Sequence, residues 1–283
     1  MAAISAAEVK ALREKTGAGM MECKNALAEC EGDAAKAEKL LKERGLAAVE
    51  KRAGRAANEG RIFAKENGKR AVLVELASET DFVARNPEFI ALGEAIAGRA
   101  LEKGYTEVTP ELSEMVSDLA AKIRENMSLK RVAVLDAGPG ELLSTYLHGD
   151  GAIGVAVRLA SDKSEALALP AVQALAHDLA LHVSWAVPQA ISRDAVAPAF
   201  VKENEEIFRA QMAQDESLAG KPEGVLQGIL KGKLNKFLSS ICLLDQGFVK
   251  EEKSTVAKVL EETGKAAGAA LKVTGYLYFK VGA

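Results

Sequence analysis

The sequence predicts an α+β protein. It starts with an N-terminal three-helix module, followed by two related β-hairpin-plus-helix subdomains, the second carrying a projecting antiparallel helical hairpin. Three observations predict this. The first 45 residues show helical periodicity broken by glycines, and from Gly60 the pattern becomes strand-like. The segment Val74-Glu75-Leu76-Ala77-Ser78-Glu79 also returns 83 positions later as Val157-Arg158-Leu159-Ala160-Ser161-Asp162. A recurrence without gaps implies that the second half repeats the topology of the first.

In the N-terminal region, Ser5-Ala6-Ala7-Glu8 has capping-box spacing, Val9 and Leu12 form an apolar stripe, and Thr16-Gly17 ends the helix at a residue that tolerates positive φ. A second helix runs from Met20 to Cys30, with Cys23, Ala26, Leu27 and Cys30 at i, i+3, i+4 and i+7, and stops at Gly32. Asp33 caps a third helix, which turns Ala37, Leu40 and Leu41 inward and ends at Gly45. Leu46 to Ala57 then reads as an alanine-rich basic connector whose Lys51, Arg52 and Arg55 form a solvated face. Residues 1–55 are therefore expected to be a docking module with its connector.

Strands at Arg61 to Lys65 and Arg70 to Leu76 flank Asn67-Gly68, a strong hairpin signal. Asn86-Pro87 opens a helix carrying Phe89, Ile90, Leu92 and Ile96; Leu112 to Ile123 forms another, and a strand at Arg131 to Leu135 follows. These make residues 56–140 the first core subdomain. Residues 141–283 make the second, with strands Leu142 to Leu147 and Ile153 to Leu159, a helix from Pro170 to Trp185, a capped helix at Ser254 to Glu262 and a last strand at Leu271 to Val281. Within it, a helical arm at about 195–239 sets Val201, Ile207, Phe208 and Met212 against Val225, Leu226, Ile229, Leu230 and Leu234 in one seam.

Composition narrows the function. In 283 residues, 37 Lys and Arg against 40 Asp and Glu give a net charge of −3, so no overall positive field invites a polyanion, and direct nucleic-acid binding is not expected. No apolar run approaches the roughly 18 residues of a membrane span, and the N-terminus lacks the order of a secretory signal, which points to a cytoplasmic chain. Cys23, Cys30 and Cys242 are odd in number and form no CxxC pair, so they read as small core residues rather than disulfides or zinc ligands. His177 and His182 lie about 140° apart on a helix, which does not suit a shared metal.

Gly149-Asp150-Gly151-Ala152-Ile153-Gly154 has GxGxxG spacing, but a strand follows it where a dinucleotide site needs a helix, so its glycines suit a hairpin turn. No Walker motif, nucleophile elbow or HExxH occurs, and an enzyme reading has no positive support. Two segments stand out. Thr80-Asp81-Phe82-Val83 follows a strand and precedes a helix, and the second copy has Lys163-Ser164-Glu165-Ala166 instead. Either Thr80 or Asp81 caps a turn and Phe82 enters the core, or the tetrapeptide is functional on a short connection. Its absence from the second copy favours function, because the shared fold does without it. Met20-Met21 is the other: one methionine packing in the core is the commoner arrangement, and exposure of both suits an adaptable partner surface.

These residues also carry a resemblance. Leu12-Arg13-Glu14-Lys15-Thr16-Gly17-Ala18-Gly19-Met20-Met21-Glu22-Cys23-Lys24-Asn25-Ala26-Leu27 resembles the N-terminal signature of the bacterial elongation factor Ts family. Glu75 to Arg85, centred on Thr80-Asp81-Phe82-Val83, resembles its second signature, and Tyr146-Leu147-His148-Gly149 adds to the likeness. Ala77 stands where the family usually has Asn, Ala152 where an Arg often follows the His-Gly turn, and the C-terminal helix of some members is missing after Ala283.

The resemblance implies a UBA-like N-terminal module and a guanine nucleotide exchange factor. Such a protein binds elongation factor Tu in its GDP-bound and nucleotide-free forms, without a cofactor or catalytic residues of its own. It implies that Phe82 wedges between helices of the partner, that Asp81 disturbs the groups holding the partner's Mg²⁺, and that Thr80 and Val83 complete the motif. His148, Arg13, Met20 and Met21 are implied as further contacts. An RNA-binding protein, which predicts steep salt dependence, and a small-molecule enzyme, which needs a pocket with convergent polar groups, are the other classes to be separated from this one.

Overall fold

The structure is a computed structural model and describes residues 4–283. The N-terminal module consists of α1 (Ala6–Thr16), α2 (Met20–Glu29) and α3 (Ala34–Arg52). Ser5 and Glu8 form the reciprocal capping box, Gly17 closes α1 at φ 69°, and Asp33 accepts from the amides of Ala35 and Lys36. Val9, Leu12, Cys23, Ala26, Leu27 and Ala37 are buried together as a small core. Cys23 and Cys242 are fully buried as expected, while Cys30 is only half-buried.

The first subdomain runs β1 (Glu59–Glu66), β2 (Arg70–Ser78), the single turn α4 (Asp81–Ala84), α5 (Pro87–Lys103), α6 (Pro110–Ile123) and β3 (Met127–Asp136), with sheet order β1-β2-β3, all antiparallel. Gly68, at φ 79°, takes the hairpin tip while Asn67 accepts from the amides of Lys69 and Arg70. The third helix does not stop at Gly45. It runs on to Arg52, because Gly45 is an approach point rather than a cap: a Cβ there would lie 3.0 Å from the Ala121 Cβ on α6. Most of the expected connector is thus helix, and Val49 packs against the core of the first subdomain.

The second subdomain repeats the plan with β4 (Glu141–His148), β5 (Ile153–Ser161), α7 (Pro170–Ala186), the arm helices α8 (Pro198–Ala213) and α9 (Glu223–Ile241), the short pair β6 (Gly247–Phe248) and β7 (Glu251–Thr255), α10 (Val256–Ala267) and β8 (Leu271–Lys280). Its sheet order is β4-β5-β8. The duplication extends to a defect: β2 is bulged against β3 between Glu75 and Leu76, and β5 against β8 between Arg158 and Leu159, the same two positions of the repeated segment. The glycines of the GxGxxG segment make a turn. Gly149, Asp150 and Gly151 all have positive φ, and the Gly151 carbonyl accepts from the Ile62 amide at 2.7 Å.

The two sheets pack against each other. Val72, Val74 and Leu76 face α5 and α6, whereas Ala71 and Leu73 join Ile62, Leu143, Ala156 and Phe279 in a layer between the sheets, so β2 is buried on both faces. The buried Glu75 is satisfied at the edge of this layer by Arg131 Nε at 2.5 Å and the Gly282 amide at 3.0 Å, with the Arg131 guanidinium 4.1 Å from the Phe279 ring centroid. In the arm, Met212, Leu230 and Leu238 are buried, but Ile207 and Val225 remain 45% and 47% exposed. Two helices share one seam, and residues a third of a turn away from it have nothing to cover them. The cap of α10 is Thr255; Ser254 is buried in β7.

His182, on α7, is fully buried. The Gln246 amide nitrogen donates to the Ser240 carbonyl at 2.7 Å, which turns the Gln246 oxygen toward His182 Nε2 at 3.1 Å, while the Val249 amide donates to Nδ1 at 3.2 Å. Both ring nitrogens are satisfied only in the neutral form with the proton on Nε2. Burial pushes its pKa below the ordinary value of 6.5, against a smaller opposing pull from Gln246. The unfolded chain takes up this proton first as pH falls. The stability of neutral burial is therefore complete above the unfolded value and is lost through the window below it, each pH unit of difference between the two values counting for about 1.4 kcal/mol. Thermal unfolding at a series of pH values should show a steeper loss for wild type than for His182→Gln below about pH 6.5. Equal slopes would mean that His182 is charged in the fold.

Candidate partner-docking site

The Thr80-Val83 turn is held from several sides. Thr80, extended at φ −125°, is the N-cap of α4, and its hydroxyl accepts from the Val83 amide at 3.4 Å. Its carbonyl accepts from the Ser78 hydroxyl at 3.0 Å, and its amide and hydroxyl both donate to Glu125, at 3.1 and 2.8 Å. Val83 and Ala84 are buried, and the Ala84 carbonyl accepts from Arg61 Nε at 2.7 Å. The capping half of the structural reading is therefore right, and its other half is not. Phe82 does not enter the core but stands 83% exposed, the most exposed large apolar side chain among the described residues. Residues i and i+1 of one helical turn point about 100° apart, so burying Val83 turns Phe82 outward. Asp81 is half-exposed and pairs with Arg85 one turn on, at 3.2 Å.

Met20 and Met21 are 46% and 65% exposed. Neither packs in the core, because α2 buries the Cys23-Ala26-Leu27 stripe and its first two positions fall outside it. Glu22, the next residue, accepts from the Gly19 amide and pairs with Arg124; the first of these contacts, then the second, holds its carboxyl below the usual range. Arg13 is exposed on α1 and makes no ion pair among the described residues. His148 is exposed at the end of β4, its Nδ1 3.1 Å from the Tyr146 hydroxyl, beside the 40% exposed Leu147.

The structure links these pieces through short bridges. β1 carries both Arg61, which holds α4, and Ile62, which holds the turn after His148, so adjacent residues fix the Phe82 and His148 turns to one strand. Arg124 and Glu125, also adjacent, reach the start of α2 and Thr80 respectively. Arg13 has no such tie to the others. Sequence reasoning missed Arg61, Arg124, Glu125 and Leu147. A salt bridge between residues more than 100 positions apart, such as Arg124–Glu22, leaves no local signal.

Among the described residues no group of His, Cys, Asp and Glu is placed to hold a metal, and no helix is long and apolar enough to cross a membrane. A cavity of about 420 Å³ between the N-terminal module and α6 is walled by ion pairs such as Lys42–Asp118 and Arg44–Glu29, and none of the residues expected to meet a partner lines it.

The family described as Elongation factor TS matches residues 79–283, which makes the greater part of this chain a translation elongation factor by sequence. Elongation factor Ts of Treponema denticola is 50% identical over 279 residues, 99% of this chain and 98% of its own. That of Treponema pallidum is 48% identical over 290 residues, 99% of each chain, and that of Borrelia hermsii is 40% identical over 280 residues, again 99% of each. The chain belongs to the elongation factor Ts family.

If Phe82 serves no packing purpose, Phe82→Ala should leave stability unchanged to within about 0.5 kcal/mol, whereas Phe89→Ala, at a fully buried ring, should cost ~3–5 kcal/mol. Thermal denaturation of the two variants makes the comparison. A large loss for Phe82→Ala would show that the side chain folds down in solution.

Proposed function

We propose that this chain is a cytoplasmic guanine nucleotide exchange factor that binds elongation factor Tu in its GDP-bound and nucleotide-free states and promotes GDP release. The observation that carries this reading is Phe82, a large apolar ring left in water on a turn whose cap Thr80 is bonded to Glu125 and whose Val83 and Ala84 are buried. An aromatic side chain brings broad, rigid apolar area at small rotamer cost, which suits a wedge between helices of a partner. Burying it at an interface recovers the free energy lost by its exposure, about 25 cal/mol per Å².

Exchange needs no bond-making and no nucleotide site on this chain. A protein that binds the empty state of a GTPase more tightly than the loaded state weakens nucleotide binding by the same factor. No catalytic residue, cofactor or nucleic acid enters the scheme. Asp81, beside the wedge, offers a negative charge to the polar and cationic groups around the partner's Mg²⁺. Thr80 and Val83 hold the turn; His148, Arg13, Met20 and Met21 extend the contact, the methionines by adapting to its relief.

Asp81 and Phe82 act on different parts of the partner in this scheme, so they should separate in a Mg²⁺ titration of labelled-GDP release. Asp81→Ala should lose most of its activity at millimolar Mg²⁺ and regain it once EDTA has removed the ion. Phe82→Ala should stay impaired throughout, by the fivefold or more that a coupling of ~1–3 kcal/mol represents. Parallel curves would end the division of roles, and no acceleration by wild type would end the reading itself. A Met20→Ala/Met21→Ala double variant should raise the dissociation constant for elongation factor Tu in calorimetry without shifting the melting temperature. Unchanged affinity would remove the methionines from the interface.

A further inference from the structure

The internal duplication provides a control for the Phe82 turn, since the bonds common to both copies can be subtracted. Ser78 donates to the Thr80 carbonyl at 3.0 Å, and its repeat mate Ser161 donates to the Lys163 carbonyl at 2.8 Å. Glu79 accepts from the amide of Asn126, the residue before β3, at 2.6 Å; its mate Asp162 accepts from the amide of Ala270, the residue before β8, also at 2.6 Å. These two bonds belong to the fold. One feature of the first copy has no counterpart: Glu125, whose carboxylate takes the Thr80 amide on one oxygen and the Thr80 hydroxyl on the other. By strand register, Ser78 opposite Met127 and Ser161 opposite Leu271, its equivalent is Ala269, which has no side-chain acceptor to offer.

The flanking residues are as specific. Arg124 ends α6 at φ 68°, a left-handed conformation that disfavours a side chain, and it spans to Glu22 at the start of α2. Asn126 is buried, and its side-chain amide donates to the Arg55 carbonyl at 2.6 Å and the Ala53 carbonyl at 3.4 Å, beyond the end of α3. Three consecutive residues thus grip the methionine-bearing helix, the Phe82 turn and the segment joining module to core.

We propose that Arg124-Glu125-Asn126 is the positioning element of the docking surface, with Glu125 fixing the Phe82 turn in the conformation that engages the partner. Glu125 touches no partner group in this scheme; it acts through Thr80. A carboxylate is suited to this because its two oxygens accept two donors at once, and bonds to a charged acceptor are about twice as strong as neutral ones. Glutamine at this position accepts one donor and turns an NH₂ toward the other. The proposal rests on the exchange-factor reading.

The test compares wild type, Glu125→Gln, Glu125→Ala, Phe82→Ala and the Glu125→Ala/Phe82→Ala double variant in labelled-GDP release from elongation factor Tu, with amide hydrogen exchange on the free chains. Glu125→Ala should slow GDP release by about fivefold or more, with Glu125→Gln between it and wild type. On the Phe82→Ala background, Glu125→Ala should change little further, within about twofold, because the group it positions is already gone. In the free chain, Glu125→Ala should speed amide exchange across residues 79–86 and leave residues 162–169 of the second copy as in wild type. Full activity of Glu125→Ala, equal losses on both backgrounds, or unchanged amide exchange would each overturn the proposal. A melting temperature for Glu125→Gln close to wild type, together with its intermediate rate, separates positioning from unfolding. If wild type itself does not accelerate GDP release, the exchange reading falls first, and this proposal falls with it.

Discussion

The placement of the Phe82 and His148 turns depends on the layer between the two three-stranded sheets. Leu73 and Ala71 of β2 meet Leu143, Ala156 and Phe279 from the other sheet, and with helices on its far side β2 loses solvent on both faces. Nearly all of its residues are buried, which explains why the segment reads as a continuous apolar run rather than an alternating one. The one acidic side chain within it, Glu75, is 3% exposed, and its burial is tolerable because Arg131 and the Gly282 amide meet both oxygens. Gly282 is the second residue past β8, so the C-terminal strand is stitched to the first subdomain by a carboxyl group buried in it.

The layer places the Phe82 and His148 turns by placing β1. That strand donates from the Arg61 side chain to α4 and from the Ile62 amide to the turn after His148. Two loops 66 positions apart, measured from Phe82 to His148, are therefore neighbours of a single strand. In the proposed docking role these turns are preorganised: the entropy of ordering them is spent in folding rather than in binding, and the contact energy is correspondingly less diluted.

The two copies show which parts of the Phe82 turn the shared fold does not require. The two copies share their register, their bulge, the serine-to-carbonyl bond and the carboxylate that anchors the third strand. They part directly after the repeated segment. In the first copy a capped turn projects Phe82; in the second a 3₁₀ turn over Ser164–Ala168 leads into α7. The scaffold is common, and the projecting group is an attachment to it.

Much of this was legible in the sequence because it depends on neighbours along the chain. The Ser5–Glu8 capping box, the Asn-Gly hairpin, the recurrence at 83 positions and the oddness of Thr80-Asp81-Phe82-Val83 and Met20-Met21 are patterns in the order of residues, and the helix, the hairpin and the duplicated strands they predict are present. Where local rules misled, a distant partner had decided. Gly45 looks like a helix stop, but Ala121 makes it a crossing point; Ile207 and Val225 look like seam residues, but the arm has one seam only. The order of residues was enough to set the class of fold, the repeat and the residues to watch. It took the folded chain to decide that Phe82 and both methionines face water, and that Arg61, Arg124 and Glu125 hold them, because exposure and long-range hydrogen bonds are set by elements that meet only after the chain has closed its sheets.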